Sequence, residues 1–67
     1  MTNLQQIVFL SLRQYARTAE QIAIDTGLSG NTVRPRLIEL RAQGLVRKTG
    51  KFRRTLSGRS AAVYEAV

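Results

Sequence analysis

Arginine offers most of the binding chemistry in this sequence. The 67 residues include 11 basic and 4 acidic ones, which gives a net charge of +7. Nine of the basic residues are arginine, and histidine and cysteine are absent. An arginine side chain carries a planar fork of N–H donors that matches a phosphate group or the edge of a guanine base. The composition therefore favours recognition of an anionic partner.

The basic residues are distributed unevenly along the chain. Residues 1–33 are neutral overall, and residues 34–67 carry the whole net charge of +7. This asymmetry indicates a polyanion, either a nucleic acid or an anionic membrane surface. A membrane surface is disfavoured because the basic residues do not lie opposite an apolar helical face. A basic face kept for solubility alone is the simpler alternative, and the preference for arginine argues against it.

The aromatic residues favour a double-stranded partner over RNA or a single strand. Only four occur: Phe9, Tyr15, Phe52 and Tyr64. They lack the interleaving with basic residues that is typical of proteins that stack unpaired bases. Phe52, between Lys51 and Arg53, is the one candidate for stacking.

Catalysis and cofactor binding are not predicted. The usual zinc ligands and nucleophiles are missing, and the four acids are scattered along the chain. No carboxylates pair at close spacing, and the glycines occur singly rather than in a loop that cradles phosphate. We expect no catalytic residue, no metal and no cofactor.

A cytoplasmic location is predicted. The longest apolar stretch, Ile7–Leu10, is too short to span a bilayer, and the N-terminus has no basic region typical of a signal peptide. The missing cysteines fit a reducing compartment. The protein would lie with the nucleoid, or in the host cytoplasm if a phage encodes it.

Two helices are predicted in the neutral half of the chain. Residues 3–15 form the first, with Asn3 as N-cap and one buried face at helical spacing. That face comprises Leu4, Ile7, Val8, Ser11, Leu12 and Tyr15. Phe9 and Leu10 fall off this face, so they lie either at the core edge or in an apolar patch for a homodimer or protein partner.

The second helix covers residues 19–26 and has the stronger terminal signals. Thr18 and Gln21 have the spacing of a capping box, in which each side chain bonds the backbone N–H of the other residue. Gly27 supplies the left-handed conformation that ends a helix.

The third helix covers residues 30–43. Ser29 is its predicted N-cap, and Gly44 ends it. Its buried face follows the i, i+4, i+7 spacing of Val33, Leu37 and Leu40. Pro35 removes one backbone donor, so it should weaken or bend the start of this helix, unless the regular helix begins nearer Asn31.

A β-hairpin is predicted over residues 45–66. The first strand covers residues 45–49, and Gly50-Lys51 is the candidate turn. A polar, basic stretch follows from Phe52 to Ser60, and the second strand begins at Ala61. The chain is therefore predicted to be one α+β domain, residues 1–67, with three helices followed by a two-stranded hairpin.

The segment TAEQIAIDTGLSGNTVRPRLIELRAQGLV, residues 18–46, followed by the basic hairpin, resembles the winged helix-turn-helix superfamily. It is most similar to small prokaryotic and phage regulators of the MarR and GntR-like kind. The matching positions are Ile22, Ala23, Gly27, Leu28, Val33, Leu37 and Leu40, and Gly44-Leu45-Val46 matches the corner before the wing. Pro35 departs from the pattern. The long terminal helices that dimerise many MarR-like regulators are missing, so obligate dimerisation is not expected.

The resemblance implies that the third helix enters the major groove of DNA. With Val33 and Leu37 inward, four positions point outward: Asn31, Pro35, Ile38 and Ala42. Asn31 is then either a bidentate partner of adenine or a helix cap, and Ile38 touches a thymine methyl group.

Three flanking residues have alternative roles. Thr32, Arg34 and Arg36 flank the outward positions of the third helix. Each arginine either reads guanine or bonds phosphate. Ser29 and Thr32 either cap the helix or bond phosphate.

The presumed wing supplies the remaining predicted contacts. They are Lys51, Arg53, Arg54 and Arg59. This basic loop either follows the DNA backbone or places an arginine in a narrow minor groove, and the alternative is a solvated loop.

The predicted function is sequence-specific binding of double-stranded DNA by a small transcriptional regulator of a prokaryote or phage. A protein-interaction module that docks through Phe9, Leu10 and Ile38 is the alternative from another class. Excision, replication and packaging remain open as processes that use the same DNA-binding chemistry.

Overall fold

A computed structural model describes all 67 residues as three helices followed by a two-stranded antiparallel sheet. The elements are α1 (Asn3–Gln14), α2 (Ala19–Thr26), α3 (Gly30–Ala42), β1 (Val46–Arg54) and β2 (Ser60–Ala66). The predicted α+β arrangement of three helices and a hairpin is confirmed.

Capping boxes begin the first two helices. The box at Thr18 and Gln21 is confirmed, with bonds of 3.0 and 3.2 Å between each side chain and the other residue's N–H. Thr2 and Gln5 form the same box at the start of α1. The prediction that Asn3 is the N-cap was therefore wrong, because the Thr-x-x-Gln spacing satisfies two free N–H groups from one residue earlier.

The buried face of α1 differs from the predicted one. Val8 and Leu12 are buried as expected, but Ile7 is 41% exposed and Tyr15, beyond the end of the helix, is 72% exposed. Gln5 is buried instead, and its side chain donates to the Glu39 carboxylate at 2.7 Å. This long-range polar contact joins α1 to α3.

Phe9 and Leu10, the two α1 residues outside the predicted buried face, differ in burial. Phe9 is half-buried and packs at the edge of the core, whereas Leu10 is exposed. The core-edge interpretation therefore holds for Phe9 and not for Leu10.

All three helices and β1 contribute to one hydrophobic core. Its members are Val8, Leu12, Ile22, Val33, Leu37, Leu40 and Val46. The predicted inward faces of α2 and α3 are confirmed. Gly27 and Gly44 have φ angles of +78° and +75°, and they allow the chain to reverse after α2 and α3.

A single antiparallel β-bridge joins the hairpin to the segment between α1 and α2. Arg17, between α1 and α2, exchanges two backbone hydrogen bonds of 3.0 and 2.8 Å with Tyr64 of β2. Val46 pairs with Ala66 and Arg54 with Ser60 at the two ends of the ladder. The base of the hairpin is therefore fixed against the helix bundle.

The prediction of a turn at Gly50-Lys51 was wrong. Residues 49–51 form a bulge within β1, because Lys48 pairs with Tyr64 and Phe52 with Ala62. Gly50 has a φ angle of +87°, which suits a bulge as well as a turn. The chain reverses at Thr55–Arg59, where the Thr55 N–H donates to the Arg59 carbonyl at 2.7 Å.

Helix α3 continues through Pro35. The helix begins at Gly30, and the Ser29 hydroxyl accepts the Thr32 N–H at 3.2 Å, which confirms Ser29 as the N-cap. Pro35 is exposed and has no N–H to donate to the carbonyl of Asn31. That carbonyl therefore lacks its helical partner on the outer side of α3.

The helices are short in relation to a bilayer. None has both the length and the apolar content needed to span a membrane.

We expect Pro35→Ala to raise the free energy of unfolding. The substitution restores one helical N–H donor and removes the ring, and the gain should be roughly 1–3 kcal/mol after the smaller effect of proline on the unfolded chain is subtracted. Urea unfolding followed by circular dichroism measures it. Ile38→Ala, at an exposed position of the same helix, is the control and should change stability little. Equal or lower stability of Pro35→Ala would contradict a cost at this position.

Candidate nucleic-acid interface

All four carboxylates are engaged by other parts of the protein. Asp25 accepts the Ser11 hydroxyl at 2.7 Å and lies 3.7 Å from the Arg17 guanidinium. Glu39 binds Arg36, and Glu65 binds Arg47. The fourth acid, Glu20, accepts the backbone N–H of Leu56 at 2.8 Å.

Eight of the 11 basic residues therefore have no carboxylate partner. They are Arg13, Arg34, Arg41, Lys48, Lys51, Arg53, Arg54 and Arg59. Arg13 belongs to α1, and the other seven lie on α3 or in the hairpin. The uncompensated positive charge is thus concentrated on the two elements that the sequence predicted to bind.

The outer face of α3 combines polar and apolar groups. Asn31, Pro35, Ile38 and Ala42 are exposed, which confirms the predicted outward direction, and Ile38 is 68% exposed. The Arg34 guanidinium lies over the first turn of the helix, where its Nη1 is 3.5 Å from Asn31 Oδ1. An amide and a guanidinium are therefore adjacent at the N-terminal end of this face.

Of the two hydroxyl residues at the start of α3, Ser29 is the N-cap and Thr32 donates its N–H to it. Ser29 is exposed, and Thr32 is half-buried. Their hydroxyl oxygens are 3.0 Å apart. The capping role is observed, and an outer position near the free N–H groups of the first turn remains compatible with phosphate contact.

Arg36 is half-buried and pairs with Glu39 on the same helix. Its Nε and Nη2 each donate to the Glu39 carboxylate at 2.8 Å. The Arg36 hydrogen bonds lower the pKa of Glu39, and the Gln5 hydrogen bond lowers it further. The structure does not bring Arg36 together with Arg34, and a contact between Arg36 and DNA would require this ion pair to open.

Arg53 is also directed toward the protein. Its Nη1 donates to the Ala16 carbonyl and to Gln21 Oε1, both at 3.0 Å. This side chain holds β1 against the start of α2. Of the predicted wing contacts, the side chains of Lys51, Arg54 and Arg59 bond no other residue.

Sequence reasoning missed a basic groove between the C-terminal half of α3 and the start of β1. It encloses about 620 Å³ and is lined by Ile38, Arg41, Ala42, Val46, Arg47 and Lys48. Arg41 and Lys48 are the cations here without a carboxylate partner. Arg41 was detectable, because Arg34, Ile38 and Arg41 follow the i, i+4, i+7 spacing of one helical face. The position of Lys48 beside it depends on the fold.

A second groove lies at the other end of α3. It encloses about 190 Å³, and its lining includes Arg34 of α3, Glu20 of α2, and Thr55, Ser57 and Arg59 of the hairpin turn. The turn therefore lies beside the N-terminal half of α3. The two grooves therefore lie toward opposite ends of this helix.

Comparisons with known proteins identify the fold and no family. No protein-family model matches the chain, and no curated protein matches its sequence. A possible transcriptional regulator from Methanosarcina mazei Go1 matches all of this chain with a TM-score of 0.77 at 13% identity. A PadR-like transcription factor from "bacteroid fragilis" matches 96% of it with a TM-score of 0.71 at 19% identity.

A third solved structure, described as a transcriptional regulator, matches 98% of this chain with a TM-score of 0.72 at 24% identity. The chain covers 57%, 65% and 47% of these three proteins, respectively. Together with the order of its helices and hairpin, these likenesses show that the chain has the winged helix-turn-helix fold.

The Arg36–Glu39 contact generates a pH prediction. Because the folded pKa of Glu39 is lowered, its contribution to stability is present above the unfolded pKa and is lost as the pH falls through the folded pKa. We expect an NMR titration of the Glu39 side chain to give a midpoint below the ordinary 4.5. Arg36→Ala should raise that midpoint more than Gln5→Ala does.

Arg34→Ala is the matched control for this titration. It removes the same charge from the same helix without touching Glu39. An equal shift of the Glu39 midpoint in Arg34→Ala and Arg36→Ala would show that general charge, and not the hydrogen bonds, sets the pKa.

Proposed function

We propose that this chain binds double-stranded DNA, with α3 in the major groove, as a small transcriptional regulator of a prokaryote or phage. One observation carries the proposal: seven of the eight cations without carboxylate partners lie on α3 and the hairpin. Phosphate contacts supply most of the affinity of such proteins, and a concentrated basic surface is what they require. The three similar structures, all described as regulators, support this proposal.

Base readout is assigned to the outer face of α3. Asn31 and Arg34 are adjacent at its N-terminal end, where winged-helix and related domains contact base edges. Asn31 matches adenine, Arg34 matches guanine, and each bidentate pair is worth about 1–3 kcal/mol of discrimination. Ile38, one turn further along, fits against a thymine methyl group.

Backbone contacts are assigned to both ends of α3. Arg41 and Lys48 line the groove at its C-terminal half, and Arg59 lies at the groove beside its N-terminal half. The remaining wing contacts are Lys51 and Arg54. These cations lie near both ends of α3, where they can contact phosphates along the groove.

The ends of α3 and the two protein-bound arginines have different roles. Ser29 caps the helix, and its hydroxyl and that of Thr32 are assigned to a phosphate at the free backbone N–H groups of the first turn. Arg36 orients Glu39, which accepts the Gln5 bond from α1, and Arg53 fixes the hairpin to Gln21 of α2, so both are assigned as positioning residues. Compared with the contacts predicted from the sequence, the proposed DNA contacts therefore include Arg41 and Lys48 and leave out Arg36 and Arg53.

Docking on a protein is the second candidate function. Ile7 and Leu10 are exposed on α1, and they favour a small apolar contact. Phe9 is half-buried and offers less surface than the sequence predicted. A homodimer or partner at α1 is compatible with DNA bound at α3.

Salt dependence tests the DNA proposal first. Anisotropy titrations with random-sequence duplex should give an affinity that falls steeply with salt, with a log–log slope of roughly −4 to −5 for four to six phosphate contacts. Lys48→Ala should make this slope shallower by about 0.9. Arg13→Ala removes the same charge from α1 and should leave the slope unchanged. Absence of binding at low salt would overturn the proposal and leave the protein partner in first place.

Substitutions on α3 and on the wing should distinguish contacts with DNA bases from contacts with the DNA phosphate backbone. After selection of a preferred site, Asn31→Ala should lose about 1–3 kcal/mol of discrimination at one base pair. Arg54→Ala should instead weaken binding to all sequences about equally. Competition binding with single-base-pair variants of the site measures both. Uniform weakening by Asn31→Ala would remove this residue from base readout.

A further inference from the structure

Leu56 is the most exposed large hydrophobic residue of the protein. Its side chain is 88% exposed, and it lies in the turn of the hairpin, two residues after Arg54 and three before Arg59. A single exposed leucine is common on protein surfaces. This one is set apart by a backbone held in place and by the cations around it.

The turn around Leu56 is closed by hydrogen bonds within it. The Thr55 N–H donates to the Arg59 carbonyl at 2.7 Å, and the Gly58 N–H donates to the Thr55 carbonyl at 3.0 Å. The hydroxyl oxygens of Thr55 and Ser57 are 2.7 Å apart, and Gly58 has a φ angle of +84°. The tip is therefore a defined turn and not an open loop.

A carboxylate of α2 also binds the backbone of Leu56. Glu20, in the first turn of α2, accepts the N–H of Leu56 at 2.8 Å. The backbone is thus fixed on the protein side, while the side chain stays in solvent. An apolar group presented in this way loses little conformational freedom when it is buried by a partner.

Positive charge predominates around the tip and favours a polyanion, because Glu20 is the one carboxylate there and it accepts the Leu56 N–H. Arg54 directly precedes the turn and Arg59 ends it, and neither has a carboxylate partner. Arg34 of α3 lines the same groove as Arg59, so the tip is adjacent to the helix end assigned to base readout. DNA that binds this end of α3 would bring a neighbouring minor groove toward the tip.

We propose that Leu56 inserts into the minor groove as a wedge between two base pairs and that this protein bends the DNA it binds. The inference rests on the proposed DNA binding. Apolar side chains that enter the minor groove unstack a base step and kink the duplex by roughly 20–90° toward the major groove. The flanking arginines hold the phosphates on either side of the kink.

A wedge also confers a sequence preference without hydrogen bonds to bases. Pyrimidine–purine steps such as TA and CA unstack more readily than others. The site under the tip should therefore contain such a step. A duplex with a single mismatched pair at that position should bind more tightly still, because the mismatch already weakens the stacking that the leucine must open.

The test uses the full chain and short duplexes carrying a donor and an acceptor fluorophore at their ends. Energy transfer reports the bend, and anisotropy reports the affinity. Three duplexes are compared. The first is the preferred site of the wild-type protein with its pyrimidine–purine step, the second has that step replaced, and the third has a mismatched pair at that position. Leu56→Ala and Leu56→Met are compared with Ile24→Ala, which shortens an exposed apolar residue of α2.

We expect the wild-type protein, Leu56→Met and Ile24→Ala to bend the duplex and to prefer the mismatched one. Leu56→Ala should lose the bend and that preference, with affinity for the intact site lower by roughly 3- to 10-fold, because the gain from burying leucine is partly offset by unstacking. Unchanged thermal melting of Leu56→Ala would exclude a folding defect.

Two results would overturn the wedge while leaving the proposed function in place. One is DNA binding by the wild-type protein without a bend. The other is an equal bend and mismatch preference in Leu56→Ala. Absence of DNA binding by the wild-type protein, in contrast, would remove the proposed function itself. Retained DNA binding with loss of a bound protein partner in Leu56→Ala would assign the tip to protein contact and overturn the wedge as well.

Discussion

Burial of one face of α3 is the constraint on which the rest of the structure depends. Val33, Leu37 and Leu40 pack against residues of α1 and α2, and each buried side chain of this kind stabilises the fold by about 1.5–3 kcal/mol. A chain of this size has no disulfide to compensate for a poor core. Because a helix turns by a fixed angle per residue, the inner face also determines the outer one. The direction of Asn31 and Ile38 follows from the core.

The four acidic residues contribute more to the arrangement of the helices and strands than to the free energy of unfolding. Each accepts hydrogen bonds from a different part of the fold, and the exposed ion pairs among them contribute little to the free energy of unfolding. Their placement has a larger electrostatic consequence. Ion pairing neutralises cations that face the helix bundle, such as Arg17 and Arg36. The free cations that remain lie mainly on α3 and the hairpin, where their fields add.

Two residues on the proposed binding surface contribute nothing to the stability of the isolated fold. Pro35 removes a hydrogen bond from α3, and Leu56 leaves a large apolar side chain in water. Departures from local stability rules tend to occur where a protein contacts its partner. Pro35 follows Arg34 in the chain, and Leu56 lies in the turn that borders one groove together with Arg34. Neither residue contributes to the core. We infer that binding, and not folding, accounts for their presence.

The sequence by itself determined the helices, the core positions of α2 and α3, the capping box at Thr18 and the concentration of charge in the second half. These features depend on residues within one or two turns of each other, so local spacing is sufficient to predict them. Resemblance to winged helix-turn-helix proteins then predicted the order of the elements and the binding surface.

Only the tertiary structure decided which cations are free. Arg53 bonds the carbonyl of Ala16, and Glu39 joins Arg36 to Gln5, across sequence separations of 37 and 34 residues. The long-range bonds of Arg53 and Gln5 have no local sequence signal, whereas Arg36 and Glu39 have the i, i+3 spacing of a helical ion pair. The sequence predicted Arg36 and Arg53 as DNA contacts, and our proposal assigns such contacts to Arg41 and Lys48 instead. The hairpin turn was misplaced for a related reason. Gly50 and Gly58 share a left-handed φ angle, and only the pairing of β1 with β2 decides which of them bulges and which turns.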